Sequence, residues 1–350
     1  MTDGIPWSLA VKVADRVAGS HPLESTYHIE SLRHQAPGLL DRAGELVGEE
    51  TGLKSTSSAT VEVVGRSEWV GRNVEFFSRL MAPAEEKIKG RLNQAGVIGS
   101  KAAGFARGLV AAETGALLGV MSRRVLGQYE LVLPTDDSEG DIVFLVGPNV
   151  LAMERANQFK PDEFRFWIAL HESAHRAQFT AVPWMQGYFL SLVQGLVDSA
   201  EPERGRVKRI IEEVKTAAEG DTDIIGEAGL LGLFASEAQR GMIDKVQALM
   251  SVLEGHGHVI MDRIGARHLV TQERMSSIIK RRRMDPRTAA FFRITGLEMK
   301  LRQYELGEKF VLAVEREAGW SAVDLVWHSE ETLPTLDEIS DPSAWLSRVA

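Results

Sequence analysis

Almost every apolar run in this chain recurs at the three-and-four spacing of a helix, and very little of it follows the two-residue period of a strand. Leu9, Val13 and Val17, then Ile29, Leu32, Leu39 and Leu40, set the helical pattern near the N-terminus, with His21-Pro22 and Pro37-Gly38 read as breaks. Ser/Thr-rich residues 51–59 read as a loop, 61–64 as a short strand, and 66–80 and 83–92 as helices. The period then changes: Tyr129-Glu130-Leu131-Val132-Leu133 and Asp141-Ile142-Val143-Phe144-Leu145-Val146 are β-rich and are separated by a turn-rich segment, 134–140. They predict a hairpin or two neighbouring strands. Beyond Asn149 the pattern is helical almost to the end, with turns at Pro161, Pro183, Pro202, Gly220 and Pro286 and an extended tail from Glu331 that closes in a short helix. The expected fold is mainly α with a small β-hairpin or sheet, an α+β arrangement. No long linker or repeat divides it, so one domain over 1–350 is expected, with a helical part over 1–122 and a functional part over 123–350.

Composition removes several chemistries. There is no cysteine among the 350 residues, so disulfides, thiolate zinc ribbons, iron–sulfur clusters and thiol nucleophiles are excluded. Any metal must be held by His, Asp and Glu. Forty Lys and Arg against 49 Asp and Glu give a net charge of −9, which argues against a nucleic-acid partner. The short run Lys280-Arg281-Arg282-Arg283 reads as a solvated helix face. Residues 1–20 carry Asp3, Lys12, Asp15 and Arg16 and do not form a secretion signal. The Gly/Ala-rich stretch 95–121 is interrupted by Lys101, Arg107 and Glu113 and falls short of the ~20 uninterrupted apolar residues that a membrane span needs. A cytoplasmic protein without a membrane partner is expected. Within that stretch Gly104/Gly108 and Gly115/Gly119 are four apart; they predict close packing of a second helix, or a homo-oligomer contact as the alternative use of the same face.

The chemistry is concentrated in Pro161-Asp162-Glu163-Phe164-Arg165-Phe166-Trp167-Ile168-Ala169-Leu170-His171-Glu172-Ser173-Ala174-His175. Proline suits a first helical position, and Asp162 and Glu163 suit the positive end of the helix dipole. His171 and His175, four apart, stack on one helical face and suit joint binding of Zn²⁺. Glu172 is turned by about 100° from His171, beside the ion without ligating it. There it suits a general base that takes a proton from a water made acidic by the metal and returns it to a leaving amine.

A catalytic zinc usually takes three protein ligands. The best source of the third is the run Val252-Leu253-Glu254-Gly255-His256-Gly257-His258, where Glu254 ends a stripe formed by Val246, Leu249, Val252 and Leu253. An acid on a core-facing stripe needs a partner, and a metal is one. His256 and His258 are the alternatives. Glu254, His258 and Asp262 are spaced by four and align if the helix continues; His258 is then placed to hydrogen-bond a ligand or to stabilise an oxyanion. If it does not, Gly255 or Gly257 ends the helix. Glu227 and Glu237 are weaker acids for the same role. Tyr188 and Tyr304 are oxyanion donors in waiting, though packing is their default. Arg293, Lys300 and Arg302 read as solvated, and Trp327 and Trp345 as anchors of the tail.

The segments 171–179, Pro183-Trp184, Leu253-Glu254-Gly255-His256 and Leu297-Glu298-Met299-Lys300-Leu301-Arg302-Gln303-Tyr304 together resemble the zincin-like metallopeptidase family. This bacterial family was first catalogued as a domain of unknown function, with members named as hydrolases or associated with coenzyme F420 biosynthesis. The resemblance spans most of the chain. It implies a zincin-like core, zinc at His171 and His175, and Glu172 as acid/base. In zincins the strand beside the metal helix pairs with substrate backbone, a role that chain order assigns here to 142–146. A zinc hydrolase acting on a peptide is therefore expected. The alternatives are a hydrolase of a small amide in cofactor metabolism, or a binding module with a closed structural zinc site.

Overall fold

A strand as continuously apolar as Ile142-Val143-Phe144-Leu145-Val146 has to be covered on both faces, and it lies at the centre of a three-stranded sheet. The computed structural model describes residues 4–55, 59–92, 96–130, 141–199, 237–283 and 298–349. Among these, β1 (Ala59–Val64), β2 (Gly127–Glu130) and β3 (Asp141–Val146) form a three-stranded sheet in the order β1-β3-β2. β1 runs parallel to β3, with Ala59 opposite Asp141, and β2 runs antiparallel to it, with Gly127 opposite Leu145. The expected neighbouring strands are present; residues 131–140 lie outside the described residues. The central position of β3 corrects one expectation. Both of its edges are engaged by sister strands, so 142–146 has no free edge for a substrate, and it is β1 and β2 that lie at the margins.

The chain divides into two compact units, Met1–Arg176 and Ala177–Ala350. In the first, α1 (Trp7–Ala18), α2 (Tyr27–Thr51), α3 (Arg66–Leu92), α4 (Gly96–Ser122) and α5 (Gly147–Asn157) surround the sheet, followed by most of α6 (Pro161–Thr180). Ala10, Ala14, Val64, Trp69, Val70, Val74, Phe144 and Val146 share one buried cluster. The glycine stripe does part of what its spacing predicts. A Cβ on Gly119 would lie 2.6 Å from the Ala14 carbonyl, and one on Gly115 would meet Ala10, so α1 packs directly on α4 there. Gly104 and Gly108 meet no described atom within 4 Å.

Two helices run through prolines whose sequence signal is a break or a boundary. Pro37 lies inside α2 and Pro83 inside α3. In α2 the buried stripe Ile29, Leu32, Ala36, Leu40, Ala43 and Val47 continues past the proline. Pro37 itself is exposed, where water can satisfy the carbonyl left without its N–H.

The second unit contains α7 (Met185–Ser199), α8 (Glu237–His268), α9 (Gln272–Arg283), α10 (Glu298–Ala318), the short α11 (Trp320–Val323), α12 (Leu336–Ser340) and α13 (Pro342–Val349). The C-terminal tail is more helical than expected, because Thr335 and Glu338 form a reciprocal capping box and Pro342 occupies a first helical turn. Trp345 is fully buried and donates to the Thr332 carbonyl at 2.8 Å, and Trp327 is also buried. Among the described residues, no helix is long and apolar enough to cross a membrane.

Candidate metal centre

Helix α6 begins at Pro161 with Asp162 and Glu163 in its first turn, as the helix dipole favours. Its apolar side, Phe164, Trp167, Ile168 and Leu170, is buried. A buried ion pair fixes its rotation: Arg165 donates to both oxygens of Glu154 on α5 at 2.7 and 3.0 Å, and to Gln35 on α2 at 2.7 Å. On the helix so held, the rings of His171 and His175 lie 4.5 Å apart, nearly perpendicular. Both are partly exposed, whereas Glu172 between them in sequence is only 4% exposed. Two neighbouring imidazoles on one helical face are nitrogen donors that fit a borderline divalent cation such as zinc, and the buried Glu172 carboxylate stands on the same turn.

The sheet is fitted to this helix through residues that sequence reasoning missed. Gly127, the first residue of β2, stands against the Glu172 side chain so closely that a Cβ there would be 2.6 Å from Oε1 and 2.8 Å from the carboxylate carbon. A side chain at this position would have to displace the Glu172 carboxylate. One turn beyond Glu172, buried Arg176 donates to Asp141 Oδ2 at 2.5 Å, and the Tyr129 hydroxyl bonds the same carboxylate. Burial, and then the Asp141 charge, push the Tyr129 phenol above its ordinary range. Arg176, Asp141 and Tyr129 thus tie α6, β3 and β2 together beside Glu172. The sequence held one signal for this: Arg176 lies among Ser173, Ala174 and Ala177 one turn beyond the motif, and an arginine that is buried there requires an acceptor.

In the second unit, α8 is continuous from Glu237 to His268, so neither Gly255 nor Gly257 ends it. Every residue from 251 to 261 is buried, with Glu254 at 4% and His258 at 3% exposure. Gly255 serves close packing instead: a Cβ there would meet the backbone of Gly307 and Glu308 on α10, and one on Gly307 would meet the Ser251 carbonyl. Gln178, in the last turn of α6, donates to the Leu253 carbonyl at 2.9 Å and lies 3.0 Å from His256 Nδ1. The His256 ring is enclosed by Trp320 and Trp327, with centroids at 5.8 and 4.8 Å, the surroundings of a packed histidine. His258 Nε2 is 3.7 Å from both Asp262 Oδ2 and Glu308 Oε2. The alignment expected of Glu254, His258 and Asp262 is present along one helix, and Glu308 joins it from α10, which no sequence spacing could signal.

Tyr188 stands beside Trp184, and burial raises its phenol. Glu227 and Arg293 lie outside the described residues. So do the side chains of Glu237, Lys300, Arg302 and Tyr304, although their backbones are helical.

The profile of the zincin-like metallopeptidase family matches residues 5–346. Among curated proteins none matches the chain. Among solved structures, a Chloroflexus aurantiacus protein, assigned provisionally as a hydrolase and described as having a novel fold, is 28% identical. The match covers 98% of each chain with a TM-score of 0.72.

Proposed function

The chain belongs to the zincin-like metallopeptidase family, and from that premise we propose that it is a zinc-dependent hydrolase of peptide bonds. His171, His175 and Glu254 are its metal ligands and Glu172 is its general base. The observation that carries this reading is the pair of adjacent, partly exposed imidazoles on α6 with Glu172 buried against Gly127. Glu254 enters on separate grounds. It is a buried carboxylate on α8, and the carbonyl of the residue before it is held by Gln178, three residues after His175 on α6.

When bound, zinc supplies Lewis acidity for the scissile carbonyl and makes water acidic near neutral pH. Glu172 accepts the proton of the attacking water and carries it to the leaving amine. Its position is fixed by the close approach of β2 and by the Arg176–Asp141 pair one turn away. Strand β2, at the margin of the sheet, gives an extended peptide an edge to pair with. His258 lies one turn beyond Glu254 on α8 and takes no step in this reaction.

Elemental analysis of the purified protein, run beside peptide cleavage, tests the assignments. One zinc should be lost in His171→Ala and in Glu254→Ala, and retained in Glu172→Gln with turnover down by ~10²–10⁴. Retention of zinc in Glu254→Ala removes that residue from the ligand set. A zinc-loaded wild type that cleaves small amides but no peptide transfers the reading to the small-amide hydrolase, and an inert one to the binding module.

A further inference from the structure

We propose that the second unit carries a cation site of its own, formed by His258 and Asp262 of α8 and Glu308 of α10, which binds a divalent transition-metal ion, Zn²⁺ or Mn²⁺. The three side chains offer one imidazole nitrogen and two carboxylate oxygens, all within 4.8 Å of one another. His258 Nε2 is 3.7 Å from each oxygen, too far for either contact to be a hydrogen bond. It is close to the spacing of two ligands on one small ion, since donors ~2.1 Å from a tetrahedral centre stand roughly 3.4 Å apart.

The surroundings are organised as the outer partners of a metal site are. Asp262 accepts at its other oxygen, Oδ1, from Gln272 of α9 at 2.6 Å. Glu308 meets Lys280 of α9 at its other oxygen, Oε1, at 3.4 Å. Each carboxylate is thereby turned so that its remaining oxygen faces the imidazole. The imidazole is 3% exposed. The helices that carry the donors are held by the Gly255–Gly307 approach, adjacent to Glu308 and one turn before His258, so the donor spacing is set by backbone contact. One imidazole with two carboxylates suits zinc or manganese better than calcium, which takes six to eight oxygens, or magnesium, which keeps several waters.

The site is independent of the zinc proposed at His171, and different variants address each. The full-length chain, dialysed against chelator and titrated with Mn²⁺ and separately with Zn²⁺, should take up two equivalents. Asp262→Asn and Glu308→Gln should each remove one equivalent or weaken it at least tenfold, with the circular dichroism spectrum unchanged and the other equivalent retained. His171→Ala should remove the other equivalent and spare this one. Lys280→Met, a substitution on a half-exposed side chain that deletes a positive charge beside Glu308, should tighten the Asp262-dependent equivalent several-fold. A wild type that binds no cation, or a single equivalent indifferent to Asp262→Asn, Glu308→Gln and Lys280→Met, overturns the proposal. A wild type that takes up only the Asp262-dependent equivalent, with uptake indifferent to His171→Ala, overturns the hydrolase reading and leaves this one standing.

Discussion

Tyr129 shows how a residue outside the motif takes part in holding it. Its phenol is raised, first by burial and then by Asp141, so the folded state favours the protonated form. A group whose folded value lies above its unfolded value contributes stability below the unfolded value, about 10 for tyrosine, and loses it as pH rises beyond. Ultraviolet titration of the four tyrosines should therefore show Tyr129 and Tyr188 titrating above pH ~10, with Tyr129 the latest of all. Tyr129→Phe should remove that late titration and flatten the loss of stability at alkaline pH. Normal titration of all four in the folded protein would contradict the burial of this hydroxyl. At this scale the motif itself was legible, because His171, Glu172 and His175 follow one another along one helix. Gly127, Asp141 and Tyr129 were not, since each reaches α6 through strand pairing that no spacing along the chain encodes. Glu308 escaped for the same reason, lying on a helix that meets α8 only in the folded protein.

The elements divide according to how local their causes are. Helix α6 was read with its start in place, because Pro161 and the acids after it are local signals. The strand pair is legible from its change of period and 61–64 as a strand, but the pairing of β1 with β3 is not, and with it goes the central position of β3. Prolines were given too much weight: the apolar stripe through α2 outweighs a single hydrogen bond lost on its exposed side. The glycine stripe on α4 makes the contrast testable. Gly104→Ala should raise stability by up to ~1 kcal/mol through helix propensity, since its Cβ would enter open space. Gly119→Ala should lower the melting temperature, because the same methyl group would strike the Ala14 carbonyl and Val17 on α1. Equal effects in thermal unfolding would show that α1 does not press on α4 at that point.

For the whole molecule, the telling feature is that the division at 176/177 falls inside α6. A helix is cooperative along its length, so melting either unit frays a helix on which the other depends. We therefore propose that the 350 residues behave as the one domain expected from the absence of a linker. Calorimetry should give a single transition with matching calorimetric and van't Hoff enthalpies, and two resolved transitions would refute it. The same helix also sets an order of events during synthesis. His171 and His175 leave the ribosome with the first unit, while Glu254 follows about 80 residues later, on the order of 4–16 s at ordinary elongation rates. If those three residues form the metal site, a nascent chain carries its paired histidines and its base for that interval without the third ligand. The competent centre then forms only after most of the polypeptide has been made, a delay that keeps a hydrolase silent while its own backbone is still exposed.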